Sequence, residues 1–234
     1  MGLPAAVLFD FDGVIVDSER LHHATMAEVM AGEGPAFDWD FYRENLMGLD
    51  DRGAFAFLLR RAGLPATPEG IGMRIARKAG LFAKHAAEGR VPAFPGAAEL
   101  IRACAATGPV GLCSGALHSD IDPVLAALGL EKCFAVQVTA DDVPRSKPDS
   151  ACYRLCVERL AAKHPARDIV PAACVAIEDT VDGVASARGA GVPVVAVATN
   201  LPAGALRAAG AAAVVPSLAG LAPERLAELA GLSR

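Results

Sequence analysis

Aromatic residues are scarce in this chain of 234 residues, at 5%, with a single tryptophan. Alanine, valine and leucine therefore supply most of the apolar surface, and hydrophobic residues at 53% suffice for a sizeable core. A positive field is also lacking. The formal net charge is −5 and no long run of lysine or arginine occurs, which argues against bulk nucleic-acid binding. No uninterrupted apolar stretch reaches the length of a membrane span. The N-terminus leads straight into a strand that ends on acids, unlike a signal peptide, so a cytoplasmic protein is expected. The cysteines are Cys104, Cys113, Cys133, Cys152, Cys156 and Cys174, and none forms a Cys-x-x-Cys. Several sit in apolar, strand-like runs, as buried reduced thiols do, rather than in a disulfide framework. Cys152 and Cys156, at i and i+4 on one helix, read as core packing. Internal repeats are absent, and alanine richness is the sole compositional bias.

What is present is organised around Val7-Leu8-Phe9-Asp10-Phe11-Asp12-Gly13-Val14-Ile15-Val16-Asp17-Ser18. The short apolar run reads as a buried strand. Side chains alternate along an extended segment, so Asp10 and Asp12 can point the same way, at the strand's C-terminal end. Ligands bind at that end of open α/β sheets. Gly13 lets the chain turn sharply and lets a ligand approach the backbone. One carboxylate can attack phosphorus and the other can act as acid and base. Close carboxylates repel, so a bound cation is expected, and all-oxygen ligands suit Mg²⁺. Taken alone, Asp-x-Asp-Gly is equally readable as a strand ending in a turn, where both residues are common.

Downstream, a helical segment runs to about Gly32, with Asp17 or Ser18 as its cap. A polar and aromatic stretch, Phe37 to Tyr42, follows. A loop at Met47–Arg52 enters a helix with an apolar side at Ala54, Phe55, Phe57, Leu58 and Leu59. Thr67-Pro68-Glu69 starts another helix, which runs toward His85. No strand signal occurs between Asp17 and Arg90. From Val91 the texture changes to alternation. Strands are expected at 109–113, 134–138, 174–177, 192–197 and 211–215, with helices at 97–106, 118–128, 149–162, 180–189 and 218–229. The pattern indicates an α/β fold, a doubly wound parallel sheet, with an inserted α-helical domain. The core would comprise residues 1–16 and 91–234, and the insertion residues 17–90.

Four strand ends then carry polar groups: Asp10 and Asp12, Ser114, Lys147 in the loop after its strand, and Glu178 with Asp179. In a parallel sheet they open on one edge. Ser114 and the following amides, Gly115 first, suit phosphate oxygens at a helix start. Lys147 suits charge balance on a transferring group. Glu178 and Asp179 would complete a Mg²⁺ site with Asp10.

These residues carry a resemblance. Asp-Phe-Asp-Gly-Val at 10–14, Ser114, Lys147-Pro148-Asp149 and Glu178-Asp179-Thr180-Val181-Asp182-Gly183 match, in order, the four motifs of the haloacid-dehalogenase-like (HAD) hydrolase superfamily. The resemblance covers the whole chain, and the helical insertion corresponds to a cap. Asp-Gly-Val-Ile-Val-Asp-Ser-Glu-x-x-His resembles the branch of β-phosphoglucomutases and sugar-phosphate phosphatases. It implies a Rossmann-like core, phosphorylation of Asp10, and Asp12 as acid/base that also lends Mg²⁺ its backbone carbonyl. It further implies a mobile cap and a small phosphorylated metabolite as substrate. A dehalogenase is not expected, since those members lack an aspartate at the position of Asp12.

The cap departs from the mutase pattern. Met47-Gly48 stands where mutases carry lysine-glycine, and Asp51 stands near the mutase arginine, with Arg52 adjacent. His22 matches a mutase position but also occurs in phosphatases of the branch; packing at its helix start is the other reading. His22, Gly48 and Arg52 are thus the cap candidates for substrate binding, joining Gly13, Ser114, Gly115 and Lys147. His23, His85, His118 and His164 read as surface or packing residues. The expectation is a monomeric Mg²⁺-dependent phosphatase working through an aspartyl-phosphate. A β-phosphoglucomutase-type mutase is the alternative, with a non-catalytic metabolite-binding protein third.

Overall fold

The computed structural model describes residues 2–47 and 49–232, so Gly48 lies outside the described residues. The chain divides into two compact units: the described residues up to Asp17 together with those from Pro92 onward, and Ser18–Val91.

The first unit is built on a six-stranded parallel sheet. Its strands are β1 Val7–Phe9, β2 Val110–Cys113, β3 Val136–Val138, β4 Val175–Glu178, β5 Val194–Val197 and β6 Ala213–Val215, in the order β3-β2-β1-β4-β5-β6. The inner strands are short apolar runs buried along their whole length, because helices cover both faces. Those helices are α5 Ala97–Thr107, α6 His118–Leu128, α7 Ala151–Lys163, α8 Val181–Gly189, α9 Ala203–Ala208 and α10 Pro223–Leu229. On one side of the sheet, Leu8, Cys113, Val138, Tyr153, Cys156, Leu160, Ala176 and Val194 pack into one cluster. All six cysteines are free thiols, and five of them are buried. From β1 the chain winds outward through β2 and β3, then returns to add β4 on the other side. This reversal opens a crevice at the C-terminal ends of β1 and β4.

The second unit is helical: α1 Glu19–Val29, α2 Trp39–Asn45, α3 Asp51–Arg61 and α4 Pro68–Ala87. Its core gathers Met26, Val29, Phe37, Tyr42, Leu46, Phe55, Leu58 and Leu59. Side-chain caps start three of the helices. Asp38 accepts from Phe41 N at 2.9 Å, Asp50 from Gly53 N at 2.7 Å, and Thr67 from Gly70 N at 3.1 Å. The chain crosses between units twice, and within the first unit the two crossings are paired. Asp17 N donates to Pro92 O at 3.0 Å and Phe94 N to Ile15 O at 2.9 Å.

Several local expectations differ from the structure. Ser18 precedes α1 but makes no side-chain cap bond, because at φ −88°, ψ −16° it lacks the extended backbone a capping side chain needs. The Phe37–Tyr42 stretch contains the start of a helix, capped by Asp38. The short α9 and a 3₁₀ turn at Pro171–Ala173 lay outside the expected elements. The last helix starts at Pro223, not near Leu218.

Candidate active site

Asp10 follows β1 directly, and its N–H extends the ladder by donating to Ile177 O at 3.0 Å. The carboxylate is thus fixed at the centre of the sheet edge, 7% exposed. Next comes a tight turn, in which Gly13 N donates to Val16 O at 2.9 Å and Ile15 N to Phe11 O at 2.8 Å. Gly13 sits at φ +81°, and a Cβ there would lie 2.0 Å from Asp179 Oδ2. Glycine is required both for the conformation and for the approach of that carboxylate. Asp12, half-buried, lies in this turn and pairs through its backbone with Val16.

Lys147 arrives from the loop after β3. Its Nζ donates to Asp10 Oδ1 at 2.7 Å and to Glu178 Oε1 at 2.6 Å. Glu178, at the end of β4, is fully buried; its Oε1 also accepts from Tyr153 OH at 2.7 Å. Asp179 follows. Its Oδ2 accepts from Asn200 Nδ2 at 2.9 Å, while Oδ1 is buried without a hydrogen-bond partner. Thr180 caps α8 by accepting from Gly183 N at 3.0 Å.

Electrostatics make this cluster incomplete as it stands. Burial, followed by Glu178, pushes the Asp10 carboxyl well above the usual carboxylate range, against the pull of Lys147. Burial, then Glu178, raises Asp179 to about 7, with the Asn200 amide opposing. Burial would depress Lys147, but Asp10 and Glu178 override it and hold the ammonium well above its ordinary value. One lysine therefore faces three carboxylates. Asp10, Glu178 and Asp179 each offer an oxygen, all within 4.8 Å of one another. Oxygen-only donors, surplus negative charge and the orphaned Asp179 Oδ1 together fit a hard divalent cation.

Ser114 follows β2, is buried, and accepts from Ala116 N at 3.0 Å through Oγ; Gly115 beside it is exposed. The helix after Ser114 starts at His118, as expected, and the His118 N–H is taken by Asp141 Oδ2 at 2.9 Å. The amides available beside Ser114 are therefore those of a loop, not of a helix terminus.

In the helical unit, the His22 ring stacks on Phe82 with centroids 4.6 Å apart, and burial plus the neighbouring Lys78 lowers its pKa well below the usual histidine value. This is the packing role weighed for it. Arg52 is exposed on α3. Lys78 is 2% exposed and spans both oxygens of Asp51, at 2.6 and 2.8 Å. Arg74 pairs with Glu33.

Sequence reading passed over Tyr153, Thr199 and Asn200. Tyr153 is one of two tyrosines in the chain, and it follows Lys147 by six positions. Thr199 and Asn200 lie just beyond β5, a fifth strand end on the same edge, and that position was their signal.

Comparison with known proteins agrees with this geometry. The family model described as "haloacid dehalogenase-like hydrolase" matches residues 4–191. Phosphorylated carbohydrates phosphatase of Thermotoga maritima is 30% identical over 188 residues, covering 80% of this chain and 82% of that protein. Hexitol phosphatase B of Escherichia coli is 29% identical over 188 residues, covering 79% of each. The crystal structure of a CbbY mutant from Rhodobacter sphaeroides, in complex with xylulose-(1,5)bisphosphate, superposes with a TM-score of 0.77. It is 28% identical and covers 94% of this chain and 96% of that one. With Lys147 bridging Asp10 and Glu178 in one buried acidic cluster, the chain belongs to the haloacid dehalogenase-like hydrolases.

Proposed function

We propose that this chain is a Mg²⁺-dependent phosphatase of a small phosphorylated metabolite, a sugar phosphate or a phosphoglycolate-like ester, working through an aspartyl-phosphate on Asp10. The observation that carries the reading is the Lys147 ammonium bridging Asp10 and Glu178 inside a three-carboxylate cluster. The relatives named phosphatases and the bisphosphate bound by the CbbY mutant support the substrate class.

Asp10 attacks the phosphorus through a carboxylate oxygen, and the bond from phosphorus to the ester oxygen breaks. Asp12, two residues on, gives its proton to the departing oxygen. It then takes a proton from water as that water attacks the same phosphorus, and the bond to Asp10 breaks to release phosphate. Lys147 and Ser114 hold oxygens of the transferring group. Asp10, Glu178, Asp179 and the Asp12 carbonyl would hold Mg²⁺, which when bound shields charge between nucleophile and phosphate. A mutase reading requires free cations on the helical unit for a second phosphate. Of the cations Arg52, Arg74 and Lys78 on that unit, two are already committed, Lys78 to Asp51 and Arg74 to Glu33, which favours the phosphatase.

The test is a phosphate-release screen over sugar phosphates, phosphoglycolate and nucleotides, with Mg²⁺ and with excess chelator. Mg²⁺-dependent release from at least one small ester is expected. No release from any of them, or equal release in chelator, would reject the reading.

A further inference from the structure

We propose that Asn200 is a positioning residue that sets the cation affinity of the acidic cluster by aiming Asp179. The inference rests on the reading of Asp179 as a cation ligand.

The loop after β5 grips the site at two points. Thr199 Oγ1 donates to Gly13 O at 2.6 Å, which ties the loop to the Asp12–Gly13 turn. Asn200 Nδ2 donates to Asp179 Oδ2 at 2.9 Å. Among the described residues, no other hydrogen bond reaches the Asp179 carboxylate oxygens. The amide thus engages one oxygen and leaves Oδ1, buried and unpartnered, for a cation.

Charge would otherwise turn this side chain away. Glu178 and Asp12 both repel Asp179, and the Asn200 amide is the neutral group that opposes them. Sterics act with it. A Cβ on Gly13 would lie 2.0 Å from Asp179 Oδ2 and 2.8 Å from Asn200 Nδ2, so amide, carboxylate and turn are packed as one unit. Asn200 itself is exposed, so its place in the site is not explained by core packing. Partners that orient a ligating carboxylate from outside typically contribute about tenfold to a hundredfold in metal affinity.

The experiment is a calorimetric Mg²⁺ titration of the full chain without substrate, on wild type, Asn200→Ala, Asn200→Leu and Asp179→Asn. Both Asn200 variants should bind Mg²⁺ at least about tenfold more weakly. Their unfolding midpoints in chelator should match wild type, and kcat should recover when Mg²⁺ saturates. Wild-type affinity in both Asn200 variants, with affinity lost in Asp179→Asn, would overturn the positioning role alone. Wild-type affinity in Asp179→Asn as well would remove the reading of Asp179 on which it rests. A lowered midpoint with unchanged affinity would make Asn200 a structural loop residue and also overturn the proposal.

Discussion

Replacing Gly183 by alanine tests whether Glu178 is held rigidly. Gly183 lies in the first turn of α8, where alanine ordinarily stabilises by at most about 1 kcal/mol. Its φ is not in the left-handed region, so the backbone accepts the change. The added Cβ would lie 1.9 Å from Glu178 Oε2, 2.1 Å from Cδ and 2.3 Å from Oε1. Contact would require the carboxylate to move by more than an ångström. A surface glutamate would swing aside at little cost, but this one is fully buried. It is held by Lys147 at 2.6 Å and Tyr153 at 2.7 Å. Overpacking of this kind costs about 1–3 kcal/mol, which exceeds the helix gain. Gly183→Ala should therefore unfold several degrees below wild type and lose most Mg²⁺-dependent phosphate release, measured by thermal melts and a phosphate assay. A variant as stable as wild type with normal turnover would show that Glu178 is free to move, and the bridged cluster would lose its rigidity argument.

Other outcomes follow from the same geometry. Asp10→Asn should abolish turnover while the protein melts no lower than wild type in chelator, because an amide cannot form an acyl-phosphate and the change relieves carboxylate repulsion; near-normal activity would reject the mechanism. With Asp179 raised to about 7, its proton competes with a cation, so Mg²⁺ affinity should fall as pH drops below about 7 and level off above it. In the metal-free protein the sign for stability is the reverse of the usual acid case. The folded state keeps a proton that the unfolded chain releases near its ordinary value. Stability in chelator should therefore decline as pH rises from about 4 to about 7, and Mg²⁺ should restore it; melts across that window check both. β-Glucose 1-phosphate with a bisphosphate primer should give little glucose 6-phosphate in a coupled assay, because Lys78 and Arg74 are paired; isomerisation outrunning phosphate release would promote the mutase.

The core fold was legible because buried parallel strands are continuous apolar runs, and Val7-Leu8-Phe9 and Val175-Ala176-Ile177 stand out against alternating helices. Asp10, Glu178 and Asp179 were legible because each sits at or directly after a strand end, where a parallel sheet gathers side chains, and Lys147 because it lies in the loop that follows a strand on the same edge. The convergence of Lys147 on Asp10, 137 positions away, is a tertiary fact no spacing encodes. Tyr153 escaped notice because its polar tip matters only once α7 packs on the sheet and carries the hydroxyl to Glu178. Asn200 escaped because a lone asparagine after a strand is indistinguishable from a turn residue until its amide meets Asp179. The burial of Lys78 against Asp51, across 27 positions, is likewise a tertiary fact that the sequence does not carry.

The aspartyl-phosphate is the central claim, and it can be caught directly. Protein turning over a good ester substrate with Mg²⁺ would be quenched in acid, digested and mapped by mass spectrometry, with and without hydroxylamine. A phosphate adduct on the peptide containing Asp10, removed by hydroxylamine and absent from Asp10→Asn, is the expected result. Brisk turnover with no adduct, or an adduct that persists in Asp10→Asn, would contradict it.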